Sequence, residues 1–162
     1  MSILFLFTDF TSFQDSVKSM KIQEKLYVMR EKVDFELAKP QTLFLDRNVL
    51  LQQNIALFKK KSFTLLRPIS AVFEAEEAAD AGGPIRENFT VLFEEFTKCK
   101  QDMFITTPTG YLLPTNNQRN VYGGMYEVLG TAIAAAAMNE AVSSLPLHPA
   151  IIYKICSSSK DP

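Results

Sequence analysis

Five large apolar residues, Ile85, Phe89, Leu92, Phe93 and Phe96, fall at i, i+4, i+7, i+8 and i+11 directly after Asp80-Ala81-Gly82-Gly83-Pro84. An α-helix returns to the same face every 3.6 residues, so this spacing lines all five along one stripe. A stripe carrying three phenylalanines has to be covered, and the pattern predicts a buried helix at the centre of the core. The residues before it prescribe how it starts. Gly82 and Gly83 allow the backbone to turn, including through φ above zero. Pro84 suits the first helical position, where no amide donor is needed. Glu87 is expected in the first turn, where negative charge meets the positive end of the helix dipole. Asp80 is close enough in sequence to accept from exposed amides or from Arg86. The stretch therefore reads as a strand–turn–helix junction. A phosphate loop would need Gly-x-x-x-x-Gly-Lys-Ser/Thr or Gly-x-Gly-x-x-Gly, and neither is present. Pro84 also removes one of the amides that an anion would use.

The segments around the junction are short and regular. Val17, Ile22, Leu26, Met29 and Val33 recur at near-helical spacing among lysines and glutamates, predicting an amphipathic helix over 14–34. Lys39-Pro40 closes that region, because the residue before proline avoids helical geometry. "QTLFLD" is a strand candidate, and "RNVLLQQNIALFKKK" a helix with Leu51, Ile55 and Phe58 on one face. "LLRPISAVFEA" alternates as a strand with Ile69, Ala71 and Phe73 on one side, Pro68 marking a strand start or an edge. "MFITTPTGYLLPTN" is hairpin-like, two apolar runs flanking Pro108-Thr109-Gly110. "VYGGMYEVLGTAIAAAAMNEA" reads as one helix, with small residues from Ala132 to Ala137 that let another element come close. "LPLHPAIIYKI" breaks at Pro146 and Pro149 and resumes as a short helix.

At 162 residues the chain suits one domain. With 47% hydrophobic and 22% charged residues it has the means for a packed core. A formal net charge of −1 disfavours nucleic-acid binding. The run Lys59-Lys60-Lys61 is read as a helix C-terminus meeting its own dipole. Cys99 and Cys156 are the only cysteines, too few for a disulfide scaffold or a structural zinc site, and a reducing compartment, cytoplasmic or nuclear, is expected. "MSILFLF" lacks the basic start and the cleavage site of a signal peptide. No apolar run has the length to span a bilayer.

Candidates for chemistry are few. His148 is the single histidine. It lies between Leu147 and Pro149 at a helix start, and its expected role is a cap or a partly covered ring. No Gly-x-Ser-x-Gly elbow exists to pair with it. Glu94-Glu95 and Glu74-x-Glu76-Glu77 are read as solvated surface. Cys99 follows Lys98 near a helix end, where nothing lowers a thiol pKa. From the residues alone this is an α+β domain with no visible catalytic, cofactor or metal site.

The order of the pieces carries more. "VFEAEEAADAGGPIRENF" resembles the signature of the HECT family of ubiquitin ligases, Phe-x-Gly-Glu-x-Gly-x-Asp-x-Gly-Gly-x-x-Arg-Glu-aromatic-Phe. Phe73, Glu76, Asp80, Gly82, Gly83, Arg86, Glu87 and Phe89 match, while Ala75, Ala78 and Asn88 depart from it. Downstream, "MYEVLGTAIAAAAMNEAVSSLPLHPAIIYK" is similar to the family's Phe-x-x-hydrophobic-Gly helix and its Leu-Pro-aromatic-x-Pro-Ala-x-x-Tyr-Lys. Tyr126, Leu129, Gly130, Ala136, Leu145, Pro146, Pro149, Ala150, Tyr153 and Lys154 keep that register, with Ala134 and Leu147 departing.

The resemblance implies an α+β fold, a mostly helical HECT N-lobe-like large subdomain with short strands and a β-hairpin. It implies an N-terminal extension over 1–12, a partial HECT domain over 13–156 and a disordered tail over 157–162. In that family a conjugating enzyme docks on a small subdomain of the N-lobe. Ubiquitin then passes to a cysteine in a Thr-Cys-Phe-like context on a separate C-terminal lobe, and from there to a substrate lysine. Both of those parts follow the region matched here. Neither Cys99 nor Cys156 has the Thr-Cys-Phe setting. No catalytic residue, cofactor ligand or metal ligand is carried over, and the chain alone is expected to be inactive in transfer. Ubiquitin and a ubiquitin-conjugating enzyme are the partners the resemblance implies; nucleic acid and membrane are not. The alternatives are a non-catalytic interaction module that binds ubiquitin or its partners, and a small α+β binding domain unrelated to ubiquitin. As a partial lobe, the chain is expected to leave 126–138 and 145–155 under-packed.

Overall fold

The computed structural model describes residues 27, 30–32, 39–74, 83–98, 103–141 and 144–157, the last four by main chain alone. The predicted helix over 14–34 falls largely outside them, as do Asp80, Gly82, Cys99 and all of the expected tail over 157–162 but Ser157, which ends the last helix.

β1 (Gln41–Leu45), α1 (Leu50–Phe58) and β2 (Ile69–Phe73) form one unit. The two strands pair in parallel from Gln41 opposite Ile69 to Leu45 opposite Phe73. Parallel neighbours need a crossover, and α1 supplies it. Strand alternation sends Leu43, Leu45, Ile69, Ala71 and Phe73 into the core. It sends Phe44 outward, where it is 67% exposed. Gln41 fastens the start of β1, its amide donating to Thr64 O at 2.7 Å and accepting from Thr64 N at 3.1 Å.

α2 (Gly83–Lys98) packs against β2, α1 and a later helix. Ile85, Phe89, Leu92, Phe93 and Phe96 are all buried, so the predicted stripe is the centre of the core. β3 (Phe104–Thr106) and β4 (Leu112–Pro114) make the predicted antiparallel hairpin. Gly110 holds φ +86° at its turn, a conformation other L-residues resist. α3 (Gln118–Tyr122) is capped by Asn117, whose side-chain oxygen accepts from Arg119 N at 3.0 Å. α4 (Met125–Met138) buries Val128, Leu129, Ala132, Ala135 and Ala136. Leu112 N donates to Pro146 O at 2.8 Å and His148 N to Leu112 O at 3.0 Å, which lays the chain before α5 (Pro149–Ser157) beside β4. The result is a mixed α+β fold whose strands are short and whose core is mostly helical.

α1 buries Leu50, Asn54, Leu57 and Phe58, and Leu51 and Ile55 pack half-buried against the same core. Three expectations are corrected. The helix predicted over 121–141 is two helices. Gly124, at φ +67°, cannot continue a right-handed helix, and a Cβ on Gly123 would sit 2.7 Å from Arg119 O. α2 begins at Gly83, so Glu87 lies beyond its first turn and answers a side chain rather than the dipole. The stretch 126–138 is well covered on its inner face; of the two stretches expected to be under-packed, the described large apolar side chains that are exposed are Ile152 and Tyr153, on the last helix.

α4 ends with its C-cap at Asn139. Glu140 follows at φ +56°, and Ala141 N reaches back to Ala136 O at 2.9 Å, the six-to-one bond of a Schellman turn. Glycine is the usual occupant of that left-handed position. Here the glutamate side chain gathers two guanidinium groups, Arg30 at 2.7 Å and Arg86 at 3.9 Å.

Candidate functional site

The Gly-Gly junction is the place the sequence singles out, and its described half is built from three elements. β2 delivers Phe73 to its end, where Glu74 N still donates to Leu45 O at 2.9 Å. α2 opens at Gly83 with Pro84 next, so proline occupies the first turn, where a missing amide costs nothing. Arg47, on the loop between β1 and α1, lies with its guanidinium carbon 4.4 Å from the centre of the Phe73 ring. The same group pairs with Glu87 at 2.7 Å. The aromatic face and the carboxylate hold one cation between them, which ties the loop after β1 to the strand end and to the helix start. Arg86, next to Glu87, faces Glu140 instead. Arg47, Glu87 and Arg86 each pair with another part of the chain, and so these contacts lock the described half of the junction.

Behind the junction lies a feature that single-stretch reading missed. Asn54 on α1 and Asn88 on α2 are fully buried and exchange hydrogen bonds, Asn54 Nδ2 to Asn88 Oδ1 at 2.9 Å and Asn88 Nδ2 to Asn54 Oδ1 at 3.1 Å. The second hydrogen of Asn54 Nδ2 goes to Leu50 O at 3.0 Å. Among the described residues no buried side-chain nitrogen or oxygen lacks a partner. The signal was available: Asn54 is four residues after Leu50, and Asn88 is three after Ile85, so each sits on a stripe. Asn88-Phe89-Thr90 also has the form of a glycosylation acceptor, which this burial closes off.

The remaining candidates serve structure. His148 caps α5, its Nδ1 accepting from Ala150 N at 3.2 Å, and its ring meets Tyr111 edge-on at 5.7 Å between centres. Tyr126 on α4 ties both ends of the hairpin, its hydroxyl lying 2.8 Å from the carbonyls of Met103 and Thr115. Glu95 bonds to Lys98 at 2.7 Å, and that hydrogen bond, with the charge of the same carboxylate, raises the Lys98 pKa above the ordinary lysine value. A hydrogen bond to Glu31 and its charge likewise raise the Tyr27 hydroxyl. Among the described residues no group of three or more His, Cys, Asp or Glu is placed to hold a metal ion. No helix among them is long and apolar enough to cross a membrane. Of the two cysteines, Cys99 lies outside the described residues and Cys156 falls within α5.

No protein-family model matches the chain, and no curated protein matches it. The family resemblance rests on its two motif blocks.

Proposed function

We propose that this chain is the large-subdomain portion of a HECT N-lobe, a scaffold in a ubiquitin-protein ligase that performs no transfer by itself. One observation carries the reading: two separate blocks of sequence keep the order and spacing of the family's signatures, Phe73 to Phe89 and Tyr126 to Lys154. The positions of those blocks support it. Phe73, Phe89, Leu129 and Leu145 are buried, as the apolar signature residues of a lobe core need to be. The Pro146 carbonyl takes the Leu112 amide and so joins the second block to the hairpin. Arg86 of the first block faces Glu140 inside the second. The three departures at 75, 78 and 88 fall on the glycine and aromatic positions of the first signature. At 88 the change is coherent, because the asparagine is paired with Asn54.

In this reading Arg47, Phe73 and Glu87 fix the strand-to-helix junction, and the chemistry belongs to a cysteine on a lobe that follows this region in the family. Ubiquitin and a conjugating enzyme are partners of the assembled ligase. The reading is tested at the transcript. Long-read sequencing is expected to find a reading frame that runs past Pro162 into a docking subdomain and a lobe with a Thr-Cys motif. A locus with neither sequence downstream overturns the ligase reading.

A further inference from the structure

The fold assembles a basic surface with an aromatic centre from two segments that are far apart in sequence. Lys59, Lys60 and Lys61 follow the end of α1 and are all exposed. Their turn is fixed. Lys60 N donates to Leu57 O at 2.9 Å, Phe63 N to Lys60 O at 3.0 Å, and the Phe58 and Phe63 rings meet edge-on at 5.1 Å. The Lys59 ammonium reaches Gly123 O at 2.9 Å, across sixty-four positions of sequence. That contact places the lysine turn against the break between α3 and α4. There Arg119 is exposed, Val121 is 43% exposed and Tyr122 is 85% exposed. α3 ends at Tyr122, and the Gly123-Gly124 break turns the chain away from its axis beside these two exposed side chains. The Glu127 carboxylate lies beside Gly124.

Helix-end lysines need no partner beyond the dipole they complement. An exposed tyrosine and valine do not follow from that role. In a chain of net charge −1, the exposed lysine turn that Lys59 joins to the exposed Arg119, Val121 and Tyr122 makes a surface both basic and apolar, whose complement is acidic with an apolar side chain. We propose that the surface made by Lys59, Lys60, Lys61, Arg119, Val121 and Tyr122 docks an acidic polypeptide segment that carries an apolar side chain. The apolar side chain sits on Tyr122 and Val121, and the carboxylates face the three lysines and Arg119. The patch is too small and the chain too acidic for nucleic acid, which needs a longer basic stripe. This inference does not rest on the ligase reading, and a failure of either leaves the other standing.

The test is fluorescence anisotropy on the full chain with four labelled probes. These are a short Glu/Asp-rich peptide with a central Leu-Leu, the same peptide with glutamine and asparagine in place of its acids, oligo-dT, and phosphatidylserine vesicles. The acidic peptide is expected to bind, and its affinity to fall several-fold as salt rises from about 50 to 250 mM. K60E/K61E is expected to weaken it roughly tenfold through like-charge repulsion, and Tyr122→Ala to weaken it without changing the salt dependence. All three residues are exposed, so melting curves of the variants should match the parent; K60Q/K61Q serves if the reversal unfolds the chain. The proposal is overturned by no binding of the acidic peptide, by binding that neither variant weakens, or by oligo-dT or vesicles binding as tightly.

Discussion

Replacing Asn88 by alanine is the perturbation that probes this fold most sharply. It deletes both hydrogen bonds between α1 and α2 at the Asn pair. Asn54 keeps its bond to Leu50 O, but its Oδ1 loses its donor and one Nδ2 hydrogen loses its acceptor, both in a fully buried place. Orphaning a buried polar atom costs about 1–3 kcal/mol. Two orphans and an amide-sized void, with some relaxation, give roughly 2–4 kcal/mol. At a guanidinium slope near 4 kcal/mol/M, the unfolding midpoint should drop by about 0.5–1 M. Replacing both partners removes the orphans together, so N54L/N88L should lie within roughly 1 kcal/mol of the parent. The cycle of N54L, N88L and N54L/N88L should then show a coupling of about 2 kcal/mol or more. Single variants that each melt with the parent, or effects that simply add, would refute a buried reciprocal pair.

Three further outcomes follow from the same geometry. Phe93→Ala should cost about 3–5 kcal/mol by chemical denaturation, whereas Phe44→Ala, on the open face of β1, should stay within about 0.5 kcal/mol. Gly123→Ala should destabilise by more than about 1 kcal/mol, because its new Cβ would sit 2.7 Å from the Arg119 carbonyl; a thermal melt unchanged from the parent would contradict the helix break. Tyr126→Phe should cost roughly 1–2 kcal/mol and speed amide hydrogen exchange in β3 and β4, since the hydroxyl bridges the two ends of the hairpin.

The parts of the fold that could be read from sequence are those whose periodicity is enforced by one apolar surface. The α2 stripe is such a case, since every one of its five positions is apolar and every one is buried. The alternation of Ile69, Ala71 and Phe73 is another. What could not be read depends on a partner elsewhere in the chain. Asn54 and Asn88 each fall on an apolar stripe, but the partner that lets each be buried stands thirty-four positions away. The break at Gly123-Gly124 is decided by the left-handed φ of Gly124, and glycine at 123 leaves room where a Cβ would press on the Arg119 carbonyl. At the candidate site, sequence anticipated a junction and not a phosphate loop. It did not anticipate Arg47, which reaches the junction from the far end of β1. Lys59 was read from its own stretch as a helix end, and its contact with Gly123 brings in a surface that no local pattern contains.

The proposed function makes this chain scaffold for a transfer reaction, with the reacting thiol outside it. Transfer needs a thiol that is accessible and partly ionised, brought up to a donor thioester. Neither Cys99 nor Cys156 stands in the sequence setting of the family's nucleophile. The direct measurement is a charging assay with activating enzyme, a panel of conjugating enzymes and labelled ubiquitin, run without reductant. The account predicts no ubiquitin adduct on the chain with any conjugating enzyme. A reductant-sensitive adduct that disappears in C99S or C156S would contradict it.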